Sequence, residues 1–188
     1  MPLGPVAISG MFLGMVCLTP GALGQSGTIS YSGPDVNSEE SESMHMPDYL
    51  RCDACRVIAY KFTQKLDKMT TRPKGRGEKE LLLSEIIAGL ETICDEDWKD
   101  TGVKEVKGVK RLSGPGLETK EVPGVTASGQ KWPQRLHEMC FMYIGDIGEE
   151  VLYDVFKRER NLENLMCHQK DGHCHPKNLK VKKVNDEL

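Results

Sequence analysis

Beyond its first 24 residues the sequence has no uninterrupted apolar stretch of about 18 residues, so it offers no helix long enough to cross roughly 30 Å of hydrocarbon. The leading apolar run, residues 6–18, is itself too short for that task. No charge of one sign dominates: 28 acidic against 25 basic side chains leave −3, which gives no case for a nucleic-acid-binding face. No Asn-x-Ser/Thr sequon is present, so N-glycosylation is not expected. Nor is there a Ser/His/Asp set, a pair of acid/base carboxylates or a phosphate-cradling glycine loop, which leaves hydrolysis and group transfer without a motif.

What the sequence does have lies first at its ends. Residues 1–24 read as a cleavable leader: an apolar core is followed by Pro20-Gly21-Ala22-Leu23-Gly24, a small-x-small pattern before Gln25, although Lys and Arg are missing near its start. The last four residues, Asn185, Asp186, Glu187 and Leu188, are a close variant of the address that a recycling receptor reads at a free carboxyl terminus. Leader, address and paired cysteines all name the lumen of the endoplasmic reticulum, with a minor secreted fraction. Removing residues 1–24 of 188 leaves about 164, enough for one domain with a long insertion. The expected layout is an acidic linker at 25–46, a helical domain at 47–176 with an insertion near 97–131, and a polar tail at 177–188.

Cys17 falls in the leader, so six cysteines remain: Cys52, Cys55, Cys94, Cys140, Cys167 and Cys174. An even number in an oxidising lumen reads as three disulfides, for which arithmetic alone permits fifteen pairings. Hydrophobic periodicity narrows the choice. Cys52, Cys55, Ala59, Phe62, Leu66 and Met69 recur at three- and four-residue steps, the stripe of an amphipathic helix that starts after Pro47-Asp48 and ends at Arg72-Pro73. A second pattern runs from about Glu78 to Cys94, and a third from Trp132-Pro133 through Leu136, Cys140, Tyr143 and Ile147, loosened by Gly145 and Gly148. The fourth carries Val151, Leu152, Val155 and Phe156, then Leu162, Leu165 and Met166 into Cys167. Helices of this length are marginal alone, so buried stripes and cross-links must supply the stability. Antiparallel packing of the first and last helices gives a nested pairing: Cys52–Cys174, Cys55–Cys167 and Cys94–Cys140.

A C-x-x-C on the first helix, one cysteine on each middle helix and two closing cysteines resemble the saposin-like fold, and most of all its subgroup with an enlarged middle loop, the canopy proteins. The likeness extends to Leu50-Arg51-Cys52-Asp53-Ala54-Cys55-Arg56, Trp98, Val103-Lys104-Glu105-Val106, Lys110-Arg111-Leu112-Ser113-Gly114-Pro115-Gly116 and Trp132-Pro133, and it spans roughly residues 45–175. The resemblance implies an all-α, disulfide-stapled bundle of four to five helices with a long loop between the middle ones. It also implies a folding factor that works with the lumenal chaperone endoplasmin, assists immunoglobulin heavy chains and other secretory clients, and is linked to lumenal calcium handling, without a cofactor.

Three other chemistries compete with that expectation. Cys52 and Cys55 have the spacing of a thiol-disulfide oxidoreductase, but that mechanism needs them bonded to each other, and no βαβ pattern surrounds them. Cys167-His168 and His173-Cys174-His175 could between them supply the four ligands of a zinc site, but those cysteines cannot also close bridges. The acidic run Asp35, Glu39, Glu40 and Glu42 lacks the loop spacing and turn glycine of a calcium-binding EF-hand and reads as a solvated linker. A saposin-like chain can also open onto lipid, which the large insertion and retrieval tail disfavour. The 97–131 loop, with Trp98, Lys110, Arg111, Leu112 and Trp132, is expected to fold back over the helices and offer a partner-binding edge.

Overall fold

The computed structural model describes residues 43–72, 76–129 and 131–181; the expected leader, the run Asp35 to Glu42 and the expected retrieval residues Asn185 to Leu188 lie outside them. Helix α1, Arg51–Thr70, follows a single 3₁₀ turn at Asp48–Leu50, in which the Leu50 N–H donates to the Pro47 carbonyl at 2.9 Å. The helix stops where Thr71 turns extended, and the Thr70 and Thr71 hydroxyls donate to the carbonyls of Leu66 and Asp67 one turn back. Its buried face is wider than the stripe in the sequence. Asp53, Ala54, Val57 and Ile58 are covered as well as Cys55, Ala59, Phe62 and Leu66, so α1 has neighbours on two sides.

Three more helices supply the first of those sides: α2, Leu83–Cys94; α3, Trp132–Ile147; and α4, Glu149–Glu159. Ile86 and Leu90 of α2, Leu136 and Ile144 of α3, and Leu152 and Phe156 of α4 join the core around Phe62 and Leu66. Helix α2 begins at Leu83 and not near Glu78. The Lys79 N–H donates to the Thr70 carbonyl and the Leu81 N–H to the Tyr153 hydroxyl, so residues 79–81 are tied to α1 and α4 and stay outside the helix. The Glu85 carboxylate accepts the Leu82 N–H at 2.9 Å and starts the helix there. Helix α3 carries Pro133 in its first turn, where a missing N–H costs nothing. It ends at Gly148, whose φ of 85° redirects the chain into α4, while Gly145 is accommodated inside the helix. After α4, Arg160 is left-handed, and a π-helical turn at Asn164–His168 brings Cys167 against α1.

The second side of α1 overturns the all-α expectation. The insertion folds as a three-stranded antiparallel sheet, with strands β1, Gly102–Val106; β2, Val109–Ser113; and β3, Thr126–Ser128 in the order β2-β1-β3. β1 and β2 are joined by Lys107-Gly108, both at positive φ (53° and 74°), as a two-residue hairpin whose twist suits its strands requires. Gly102 permits the approach of β3, since a Cβ there would lie 2.4 Å from the Ala127 carbonyl oxygen. Val103 and Leu112 face each other across the hairpin and are fully buried. The opposite face is covered too, for Lys104 is buried with its ammonium donating to the carbonyls of Thr119 (3.0 Å) and Val122 (2.8 Å) at either end of a 3₁₀ turn, Glu118–Glu121. A lysine on a covered face breaks the alternation by which a strand is recognised. All of these described residues belong to one compact unit.

Among the described residues, the Tyr143 hydroxyl is the buried side-chain polar atom without a hydrogen-bond partner, and burial pushes its phenol pKa well up. Tyr143→Phe removes that hydroxyl without leaving a hole. It is expected to stabilise the protein by up to about 1 kcal/mol, read as a higher urea midpoint.

Candidate functional site

Cys52 and Cys55 lie on the first turn of α1. Cys52 is bonded to Cys174 (Cα–Cα 4.7 Å) and Cys55 to Cys167 (5.8 Å), while Cys94 at the end of α2 is bonded to Cys140 in α3 (5.4 Å). The C-x-x-C pair is therefore not joined to itself in this structure. The Cys174 N–H donates to the Cys167 carbonyl at 2.9 Å, and a Cβ on Gly172 would fall 2.3 Å from that same carbonyl oxygen. The turn that delivers both sulfurs to α1 thus leaves no room for a side chain at 172.

Between the two bonded cysteines stands Asp53, 3% exposed. Its carboxylate accepts two hydrogen bonds from Arg111 on β2, Nε at 2.6 Å and Nη2 at 2.7 Å, and a third from the Leu112 N–H at 3.0 Å. Arg111 Nη2 also reaches Glu118 at 2.8 Å; Glu118 pairs with Arg56 at 2.8 Å; and Arg56 Nε pairs with Glu163 at 2.9 Å. One continuous run of alternating charges fastens helix, strand, 3₁₀ turn and π-helical turn together. A carboxylate taken out of water is tolerable only when its lone pairs are met in this way. Asp53 and Arg56 enter the sequence reading only as members of the Leu50–Arg56 motif, and Glu118 and Glu163 belong to no motif in it. The available signal was an acidic residue flanked by two cysteines on a face meant for the core.

Burial by itself would raise the Glu118 carboxyl, but its own backbone N–H and the guanidinium groups of Arg111 and Arg56 outweigh burial and hold it down at about 2, below an ordinary 4.5. Because the folded value is the lower one, this contribution is complete above about pH 4.5 and is lost as pH falls from there toward 2. Glu118→Gln is therefore expected to flatten the acid side of a Tm-against-pH curve in that window. Circular dichroism melts in steps of half a pH unit would test it, and an unchanged acid slope would show the charge run to be idle.

The loop residues chosen from sequence have mostly turned inward. Trp98, at a left-handed φ of 49°, is buried, its indole N–H donating to the Cys94 carbonyl at 3.1 Å and the Lys61 ammonium lying 4.5 Å from its ring centre. Trp132 is buried at the start of α3 under the Arg135 guanidinium, 4.4 Å away. Leu112 is in the core and Arg111 is committed to Asp53 and Glu118. Of the five, Lys110 alone has no hydrogen-bonding, ion-pair or ring partner among the described residues, although it is only 3% exposed. It lines a groove of about 550 Å³ between the outer edge of β2, the Cys52 end of α1 and the tail residues Leu179 to Val181.

The Cys/His cluster is dispersed. His168 sits 3.2 Å from Glu163, His173 is half-buried with its pKa lowered by desolvation and by Arg51, and His175 Nδ1 accepts the Lys177 N–H. Among the described residues no three His, Cys, Asp or Glu side chains come together as a metal site, and no helix is long and apolar enough to cross a membrane.

Fold and site together define a disulfide-stapled helical protein of saposin-like cysteine spacing, with an inserted sheet clamped to its first helix by buried ion pairs. The chain belongs to the family of marginal zone B- and B1-cell-specific proteins, relatives of the canopy proteins. It is 39% identical to the protein of that name from Mus musculus over 160 residues, 82% of this chain and 85% of the relative. It is 39% identical to the Homo sapiens protein over 177 residues, 90% and 91% of the two chains, and 37% identical to the Bos taurus protein over 164 residues. No family model matches the chain.

Proposed function

We propose that this protein is a non-enzymatic folding cofactor resident in the lumen of the endoplasmic reticulum, acting with endoplasmin on immunoglobulin heavy chains and other secretory clients and linked to lumenal calcium handling. The observation that carries this reading is that both members of the C-x-x-C are spent on long-range bridges, 122 and 112 residues apart in sequence. A sulfur that holds α1 to the end of the chain is unavailable for the reversible couple an oxidoreductase needs, whereas three bridges in one domain suit an oxidising lumen. The relatives' name, which ties them to marginal zone B and B1 cells, supports an immunoglobulin client. The sequence of residues 185–188 supports capture by the retrieval receptor.

Two measurements test this reading. Non-reducing peptide mapping of the secretory-pathway product should recover Cys52 with Cys174 and Cys55 with Cys167; a Cys52–Cys55 peptide, or client adducts trapped by Cys55→Ala, would move the protein to the oxidoreductases. Deleting residues 185–188 should shift the protein from cells to medium while leaving its co-precipitation with endoplasmin in lysates intact. Unchanged retention after the deletion would refute the retrieval assignment.

A further inference from the structure

The outer edge of β2 leaves one register open. In a two-residue hairpin the pair flanking the turn, Val106 and Val109, exchanges both backbone hydrogen bonds, and the pattern alternates from there. Lys104 and Arg111 therefore bond to each other, whereas the backbone groups of Lys110 and Leu112 point away from β1. The rest of the structure agrees with this phase, because the Leu112 N–H donates to Asp53 and the Leu112 carbonyl accepts the Thr119 hydroxyl at 2.5 Å. Asp53 and Thr119 both line the 550 Å³ groove, so the outward edge of β2 faces into it. Lys110, two residues before Leu112, presents its N–H and C=O to the same space, and neither has a partner among the described residues.

The side chain at this register is equally unprovided for. Lys110 lines the groove with no carboxylate partner among the described residues, and the groove's two acidic side chains, Asp53 and Glu118, are engaged by Arg111 and Arg56. Lys107 adds positive charge at the rim, Lys180 being paired with Asp48, and Tyr49, Val109 and the exposed Leu179 supply apolar wall. A volume of about 550 Å³ lies within the roughly 300–1,000 Å³ usual for ligand sites. An amide, a carbonyl and an ammonium at one residue, none with a partner among the described residues, call for a ligand with a backbone and a negative charge.

We propose that this groove binds an extended segment of another protein by adding it as a short strand beside β2, with an Asp or Glu side chain opposite Lys110 and apolar side chains on either side of it. Residues directly opposite in an antiparallel pair point to the same face, so the acidic side chain of the incoming strand lands on the Lys110 ammonium while its backbone exchanges two hydrogen bonds with Lys110. The strand cannot continue past Leu112, whose edge groups are taken. Recognition is therefore brief, selecting for one acidic residue in an apolar setting and not for a long acidic tract. Only the identification of the partner as a secretory client rests on the folding-cofactor reading.

The test uses the full oxidised chain, labelled with ¹⁵N, and three blocked pentapeptides: Thr-Val-Glu-Val-Thr, its Lys-for-Glu analogue, and a form methylated on the Glu nitrogen. The Glu peptide should shift the Lys110 amide resonance. The Lys analogue and the N-methyl peptide should each bind at least tenfold more weakly, and Lys110→Met should reduce the Glu peptide to the level of the Lys analogue. Equal binding of all three peptides, or shifts that spare Lys110, would overturn the proposal, and this comparison needs no variant to fold. A chain ending at Val181 that gains tenfold in affinity would also overturn it, by making the protein's own acidic tail the occupant. Endoplasmin co-precipitation is read separately, so loss of the co-chaperone reading leaves this result standing.

Discussion

Truncating Arg111 to alanine is expected to cost about 3–5 kcal/mol, the usual penalty for leaving one member of a buried ion pair without its partner. The large effect comes from what stays behind: the Asp53 side chain is 4% exposed, and without the guanidinium it keeps only the Leu112 N–H at 3.0 Å. Removing the other partner should cost less. Asp53→Ala strands the Leu112 N–H, worth about 1–3 kcal/mol, but Arg111 is 31% exposed and still has Glu118 and water. Arg111→Lys should recover little, because one ammonium cannot reproduce a two-point contact with Asp53 together with a bond to Glu118. Denaturation followed by the fluorescence of Trp98 and Trp132 would measure each change, and Arg111→Ala should lower Tm by on the order of 10 °C. A double-mutant cycle with a coupling energy near zero would show that the sheet is held by Val103 and Leu112 alone.

That clamp also explains where sequence reasoning stopped. The stripes of α1 and α3 are legible because their apolar residues recur within one element: Cys55, Ala59, Phe62 and Leu66 face the core at helical spacing. Ala54, Val57 and Ile58 lie off that stripe and are buried all the same, on a helix that packs against β2 as well as against the other helices. The strands were hidden by Lys104 and Lys110, two buried lysines where a covered strand ordinarily places Val or Ile. The remaining hint was Gly108 between Val106 and Val109, a weaker turn signal than Asn-Gly. Asp53 pairs with Arg111 across 58 residues and Arg56 with Glu163 across 107, and pairs so distant leave no local periodicity. In the sequence Lys110 is one member of the Lys110–Gly116 motif. Its distinction, an open edge register beside a groove, exists only once the hairpin's phase is known.

Removing the Cys94–Cys140 bridge by paired alanine substitutions is expected to cost about 4 kcal/mol, the chain-entropy value for a closed loop of that size, 46 residues apart in sequence. Both cysteines are fully buried between α2 and α3, so the choice of replacement matters. Paired serines place two hydroxyls where no water reaches and should cost about 1–3 kcal/mol more for each one left unsatisfied. The bridge encloses the whole sheet in sequence, yet the ion pair that joins the sheet to α1 runs from Arg111 to Asp53, and neither residue is part of the bridge. The alanine pair should therefore lower the urea midpoint while β1 and β2 amides stay protected from hydrogen exchange up to global unfolding, and Arg111→Ala should do the reverse, freeing those amides first. If loss of the bridge instead released the strands before the helices, the disulfide and not the ion-pair run would be what fastens the insertion to the bundle.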